Sequence, residues 1–159
     1  RPTIAVLNGD AFGGGLELAS ACDVRVMAPN AKIAFPESSV GIVPGWSGTQ
    51  RIARLLPEPV IKEMALFGRR LSAERALALG FAAEISVDPL GAAKGIAARL
   101  ADTSPAATEV AKYMIHAGVG EDTSAMIEAL GSGMIAASAD KLEGVAAFRA
   151  KRKPVFTGE

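Results

Sequence analysis

Two glutamates and a run of glycines are the residues of this chain whose types and spacing can do chemistry. Gly13-Gly14-Gly15 follows a short apolar stretch and precedes Leu16-Glu17-Leu18, so the glycines stand at a helix start. Unpaired N–H groups there make a preorganised place for negative charge. That charge is either a phosphate or a developing oxyanion. The phosphate reading fails in detail. No Gly-Lys-Ser/Thr follows the glycines, and a dinucleotide fingerprint counted from Gly13 needs Gly or Ala where Leu18 stands. An oxyanion hole fits better, with a tight turn and close helix packing as the plain alternative. Glu17 falls in the first helical turn, where the macrodipole alone stabilises a carboxylate by about 0.3 to 1 kcal/mol. Glu37 follows Pro36 at a strand end, a place where side chains face clefts. Singly, each is an ordinary capping or solvated residue. Beside an oxyanion site they are the parts needed to move a proton and a water next to an activated carbonyl.

Competing schemes are weaker. Gly45-Trp46-Ser47-Gly48 resembles a nucleophile elbow, but Thr49 stands at its fifth position, and the single histidine, His116, sits in a helical pattern. Cys22 has no second thiol and is expected to pack inward from a helix face. No Cys/His cluster has zinc spacing, so no metal site is expected. Lys151-Arg152-Lys153 reads as a solvated helix end that can also meet phosphates.

The elements that must position these residues alternate first and turn helical later. Thr3 to Leu7 reads as a strand buried on both faces, followed by a helix from the glycines to about Asp23. Val24 to Met27 and Lys32 to Phe35 read as further strands, and Val40 to Gly48 as a loop rich in glycine and proline. Helices are predicted from Thr49 to Leu56, Pro59 to Phe67 and Ala73 to Leu79, the last capped by Ser72 and stopped by Gly80. Phe81 to Val87 reads as a short strand. Asp88-Pro89 opens a helix as N-cap and first residue. Three more are expected at Pro105 to Ala117, Thr123 to Ala137 and Lys141 to Lys153. The pattern is an α/β portion over residues 1–87 and an all-helical portion over 88–159.

Composition bounds the partners. The 159 residues carry 17 Lys plus Arg against 17 Asp plus Glu, which argues against a nucleic-acid footprint or a polybasic membrane patch. No apolar run reaches the roughly 20 residues that span a bilayer. One free thiol without a disulfide framework suits a reducing compartment, so the expected location is cytoplasmic. The chain opens Arg1-Pro2-Thr3-Ile4 directly before a strand, without a Met, and is expected to be a fragment or processed piece.

The stretches Asn8-Gly9-Asp10-Ala11-Phe12-Gly13-Gly14-Gly15-Leu16-Glu17-Leu18 with Cys22-Asp23, Phe35-Pro36-Glu37, Gly41-Ile42-Val43-Pro44-Gly45 with Gly48-Thr49-Gln50-Arg51, and Ala147-Phe148 with Lys151-Arg152-Lys153-Pro154 carry a resemblance. Over nearly the whole chain, in order and register, they resemble the crotonase (enoyl-CoA hydratase/isomerase) superfamily. The resemblance implies a partial spiral of ββα turns followed by a C-terminal helical region that trimerises, commonly as a dimer of trimers. It implies an acyl-CoA thioester as substrate, with no cofactor beyond the coenzyme A of the thioester itself. Gly14 N–H becomes one oxyanion donor, with Gly13 beside it at the substrate. Glu17 is assigned to activating the water that adds at the β-carbon, and Glu37 to supplying the proton at the α-carbon. This pair favours an enoyl-CoA hydratase, a hydro-lyase. A double-bond isomerase needs only one of the acids, and a catalytically incomplete assembly or CoA-binding piece is a third reading. Phe148 and Lys151 resemble positions that contact the CoA nucleotide. Trp46 departs from the small residues usual there, and either fills a loop-to-core gap or narrows the acyl pocket. The family domain begins well before the position matching Arg1, and the preceding part is expected to supply the second oxyanion donor and much of the adenine pocket.

Overall fold

The computed structural model describes residues 1–117, 133, 136 and 138–157. Two three-stranded sheets are threaded in alternation. Strand β1 (Ile4–Leu7) belongs to the first sheet and β2 (Ala11–Phe12) to the second. Helix α1 (Gly14–Ala21) then returns the chain to β3 (Val24–Met27) of the first sheet and β4 (Lys32–Ala34) of the second. Both crossings are parallel, pairing Ile4 with Val24 and Ala11 with Ile33. Two turns of a β-β-α path are thus stacked in register, which puts the start of α1 directly after β2. Strand β5 (Leu71–Ser72) adds antiparallel to β4, and β6 (Glu84–Ile85) adds parallel to β3.

The further described α-helices are α2 (Gly48–Ile52), α3 (Glu58–Phe67), α4 (Ala73–Ala78), α5 (Pro89–Ala98), α6 (Pro105–Ala117) and α7 (Ala139–Arg149). Their starts follow local rules. Ser72 Oγ accepts from Arg75 N–H at 3.3 Å, and Asp88 Oδ1 accepts from Gly91 N–H at 3.0 Å, with Pro89 just inside. The core lies between α1, the strands and α2 to α4. Leu16, Met27, Ile33, Phe35, Ile52, Met64 and Phe81 are fully buried there. Burial of one such side chain stabilises by roughly 1.5 to 3 kcal/mol.

One buried charge orients α1. Arg25 on β3 donates from Nε to Phe81 O and from Nη1 to Cys22 O, both at 2.6 Å, and packs over the Phe81 ring. Its positive charge thus meets the carbonyl end of α1, where the helix dipole is negative. Burial pushes the guanidinium pKa below the ordinary arginine value, while Cys22 and Asp23 act in the opposite sense.

Several expectations are corrected. Strand β1 is only half-buried apart from Leu7, so its continuous apolar run does not mean two covered faces in the described structure. The helix expected at Thr49 to Leu56 is the shorter α2, and the strand expected at Phe81 to Val87 keeps only Glu84–Ile85. Cys22 caps the C-terminal end of α1 half-buried, its thiol directed to Leu18 O, and does not pack inward. The helix placed at Lys141 to Lys153 starts two residues earlier, because Ser138 Oγ caps Lys141 N–H, and ends at Arg149 before the left-handed Lys151. The helix expected at Thr123 to Ala137 lies outside the described residues apart from 133 and 136. Among the described residues no helix is long and apolar enough to cross a membrane, and no group of three or more His, Cys, Asp or Glu is placed to hold a metal.

The residues after α7 fold back on it. Glu143 accepts from both Arg152 guanidinium nitrogens at 2.6 and 2.8 Å and from Val155 N–H at 2.9 Å. The hydrogen bonds from Arg152 and then Val155 hold its carboxyl at a pKa of about 2, against an ordinary 4.5. A carboxylate whose folded pKa is depressed stabilises the fold above its unfolded pKa and loses that contribution as pH falls through the folded one. The hold of Glu143 on Arg152 and Val155 is therefore expected to be lost between pH 4.5 and about 2. Amide exchange at Val155 followed through an acid titration tests this; release complete above pH 4.5 would contradict it.

Candidate active site

The glycine run bends the chain from β2 into α1. Gly13 has φ 53° and ψ −124°, a conformation that side chains with a Cβ do not adopt, and its N–H donates to Ala34 O at 3.1 Å. Helix α1 closes its first turn with Glu17 N–H on Gly13 O. The Gly14 amide lies ahead of that bond, among the helix-opening donors that have no partner inside the helix.

Glu17 is 5% exposed, pinned where α1 meets the loop before α2. Its Oε1 accepts from Trp46 N–H at 2.8 Å and Gly48 N–H at 3.1 Å. Both amides reach one oxygen because the residue between them, Ser47, sits in the left-handed region at φ 63°. Two N–H groups converging across such a residue form an anion-binding nest. Gly48 is required by space: a Cβ there would lie 2.5 Å from Glu17 Cγ and 2.6 Å from its Oε1. Gly48→Ala is expected to push the carboxylate out of its nest and lower turnover at least roughly tenfold, since ångström-scale misplacement is costly in a positioned site. Steady-state kinetics of the variant would show it, and wild-type turnover would contradict the packing argument.

Glu37 comes from another element. Pro36 ends the strand region, and Glu37 opens a 3₁₀ turn, Glu37–Val40, with its side chain 7% exposed. It is therefore buried, on a turn that follows the strand end. Its Oε1 approaches the glycine run so closely that a Cβ on Gly13 would meet it at 3.0 Å. The turn is braced from behind by α7. A Cβ on Gly41 would run into Asp140 O, and one on Gly144 into Val40 O, so two glycines let the backbones of turn and helix touch.

Trp46 does not fill the loop-to-core gap that was one of its two readings. Its indole is 73% exposed, so it fills no gap in the core. Ring atoms Cζ3 and Cε3 stand 3.4 and 3.7 Å from where a Cβ on Gly14 would be, so the ring lies over the start of α1. Gly13, Gly14, Glu17, Glu37 and Trp46 are thus one cluster. Phe148 and Lys151 are not buried in it. Phe148 is 74% exposed near the end of α7, and Lys151 is exposed in the turn beyond, on an element tied to the cluster through the Glu37–Val40 turn. A separate cleft of about 470 Å³ between α1, α2 and α6, lined by Cys22, Asp23, Arg25, Arg54 and His116 among others, contains none of these residues. His116 stands 4.0 Å from Asp23 there, and Ser47 serves the Glu17 nest, so no nucleophilic triad is assembled from them.

The backbone amides of Trp46 and Gly48 were not legible as part of the site. An N–H belongs to nearly every residue, so no residue type marks it; the Trp-Ser-Gly spacing was visible only as an imperfect elbow. Two buried carboxylates near helix-opening amides can activate a water and hold a proton, while the amides stabilise an oxyanion.

Comparison with known proteins gives this geometry a context. A family profile described as "Enoyl-CoA hydratase/isomerase" matches residues 1–159. The chain is 40% identical to a mitochondrial enoyl-CoA hydratase domain-containing protein 2 of Bos taurus, covering 99% of this chain and 56% of that protein. It is 38% identical to a carnitinyl-CoA dehydratase of Salmonella choleraesuis, covering 99% of this chain and 64% of that one. Among solved structures, a carnitinyl-CoA hydratase from Mycobacterium avium superposes with a TM-score of 0.95 at 31% identity, over 100% of this chain and 64% of that one. The chain therefore spans 56% to 64% of the length of these relatives.

Proposed function

The chain belongs to the enoyl-CoA hydratase/isomerase family, the crotonase superfamily, and from that premise we propose that the protein carrying it is an enoyl-CoA hydratase, adding water reversibly across a 2,3-unsaturated acyl-CoA. The observation that supports this reading best is the pair of buried carboxylates, Glu37 against Gly13 and Glu17 on the amides of the loop whose Trp46 ring lies over Gly14. In the proposed reaction the thioester carbonyl oxygen accepts from Gly14 N–H. Glu17, held by its two amide donors, takes a proton from the water that attacks the β-carbon. Electron density moves onto the thioester oxygen as an enolate-like charge, and Glu37 delivers a proton to the α-carbon. Preorganised donors of this kind act without reorganising as the charge develops. No cofactor is needed beyond the coenzyme A of the substrate.

The remaining assignments are proposals of the same reading. Phe148 and Lys151 meet the nucleotide end of coenzyme A, an apolar and a cationic group both open to solvent. A homotrimer, alone or paired into a hexamer, is supported by the exposed apolar side chains Val110, Tyr113, Met114 and Ile115 on α6.

Incubation of the full-length protein with 2-butenoyl-CoA in ¹⁸O-labelled water, followed by mass spectrometry, tests the reaction. The expected product gains one water with the label at the β-carbon. Recovery of an unlabelled positional isomer of unchanged mass would replace the hydratase by an isomerase, and unchanged substrate would reject both.

A further inference from the structure

An exposed indole on a fixed backbone needs an explanation. Trp46 N–H is bound to Glu17, its carbonyl accepts from Arg51 Nη1 at 3.3 Å, and the following residue is locked in the left-handed region. The main chain at this position is thus held while the ring stands largely in solvent. The same residue therefore sets the position of the candidate base through its backbone and offers a flat apolar face over Gly14 through its side chain.

We propose that the Trp46 indole is the acyl-selecting wall of the site, stacking on a short, planar, conjugated acyl group and obstructing long alkyl tails; the inference rests on the enoyl-CoA reading above. A carbonyl oxygen accepting from Gly14 N–H sits about 2.9 Å from that nitrogen. Ring atoms lie 3.4 and 3.7 Å from the adjacent Cβ position, so the indole is the aromatic surface next to a carbonyl held there. A conjugated enoyl thioester is flat and matches an aromatic face by offset stacking. A saturated tail gains less from a rigid plane and loses rotamer freedom against it.

Kinetics on the full-length protein provide the first test. With 2-butenoyl-CoA and 2-decenoyl-CoA as paired substrates, Trp46→Ala is expected to lower kcat/KM for the short acyl group by about 3- to 10-fold. The specificity ratio is expected to move at least about tenfold toward the long one. Trp46→Phe, which keeps an aromatic face, is expected to move the specificity ratio less than Trp46→Ala does. A ratio in the alanine variant within about twofold of wild type, with turnover still measurable, overturns the wall and leaves the hydratase reading standing.

Fluorescence provides a second readout that needs no turnover. Trp46 is the one tryptophan in this sequence, so the difference emission between wild type and Trp46→Phe reports on it alone. Saturating benzoyl-CoA, a flat conjugated thioester with no isolated double bond to hydrate, is expected to shift that emission to the blue or quench it, and coenzyme A alone is not. If no enoyl-CoA is turned over, the hydratase reading fails and this arm decides the wall separately: a saturable change keeps it, and an unchanged spectrum overturns it.

Discussion

Glu17→Gln and Glu37→Gln are each expected to lower enoyl-CoA hydration by at least about 10²-fold, the ordinary contribution of a positioned general acid or base. The substitution at Glu17 is unusually clean. A glutamine side-chain oxygen can still accept from Trp46 and Gly48 N–H, so the nest at 2.8 and 3.1 Å is kept while the ability to take a proton is lost. Unfolding curves close to wild type alongside the loss of kcat would therefore assign the effect to chemistry. The two variants also separate readings within the family. Large losses in both support water addition by two acids. Loss in one alone fits a single-acid isomerisation, and near-normal turnover in both would remove the carboxylates from the mechanism.

Gly41→Ala is expected to destabilise the folded chain by about 2 to 4 kcal/mol, combining the cost of a left-handed alanine with overpacking against backbone. Gly41 caps the Glu37–Val40 turn at φ 71°, and its missing Cβ leaves room for Asp140 O of α7. For a domain of this size that loss corresponds to a Tm lower by roughly 5 to 15 °C. Gly80 supplies the internal control. Its φ is 83°, yet a Cβ there meets nothing within 4 Å, so Gly80→Ala carries the backbone cost alone. Thermal unfolding of both variants isolates the contact, and a Gly41 variant no less stable than the Gly80 one would show that α7 is not braced there.

What was legible in the sequence was local. The glycines, Glu17 and the apolar positions of α1 lie within nine residues, and the caps Ser72 and Asp88 act three residues ahead of themselves, so residue type and spacing suffice. Strands β2 and β5 have two residues each, too few to show a period, and exist only because β4 pairs with both. The family resemblance named Glu17, Glu37 and Gly14, but the Glu17 nest depends on a left-handed serine, which no pattern predicts. Likewise the exposure of Trp46 reflects the surroundings of its loop; an isolated tryptophan in a sequence suggests burial as readily as display.

The brace between α7 and the turn at Glu37 also sets an order of events in time. The partners of Glu17 lie about thirty residues downstream of it, whereas the contact of Gly144 with Val40 spans about a hundred. A ribosome adding about 5 to 20 residues per second separates residue 41 from residue 144 by roughly 5 to 20 s. During that interval a nascent chain can seat its first carboxylate, while the turn bearing the second waits for the last described helix. The turn that bears the second acid is therefore backed by α7 only after residue 144 has been made.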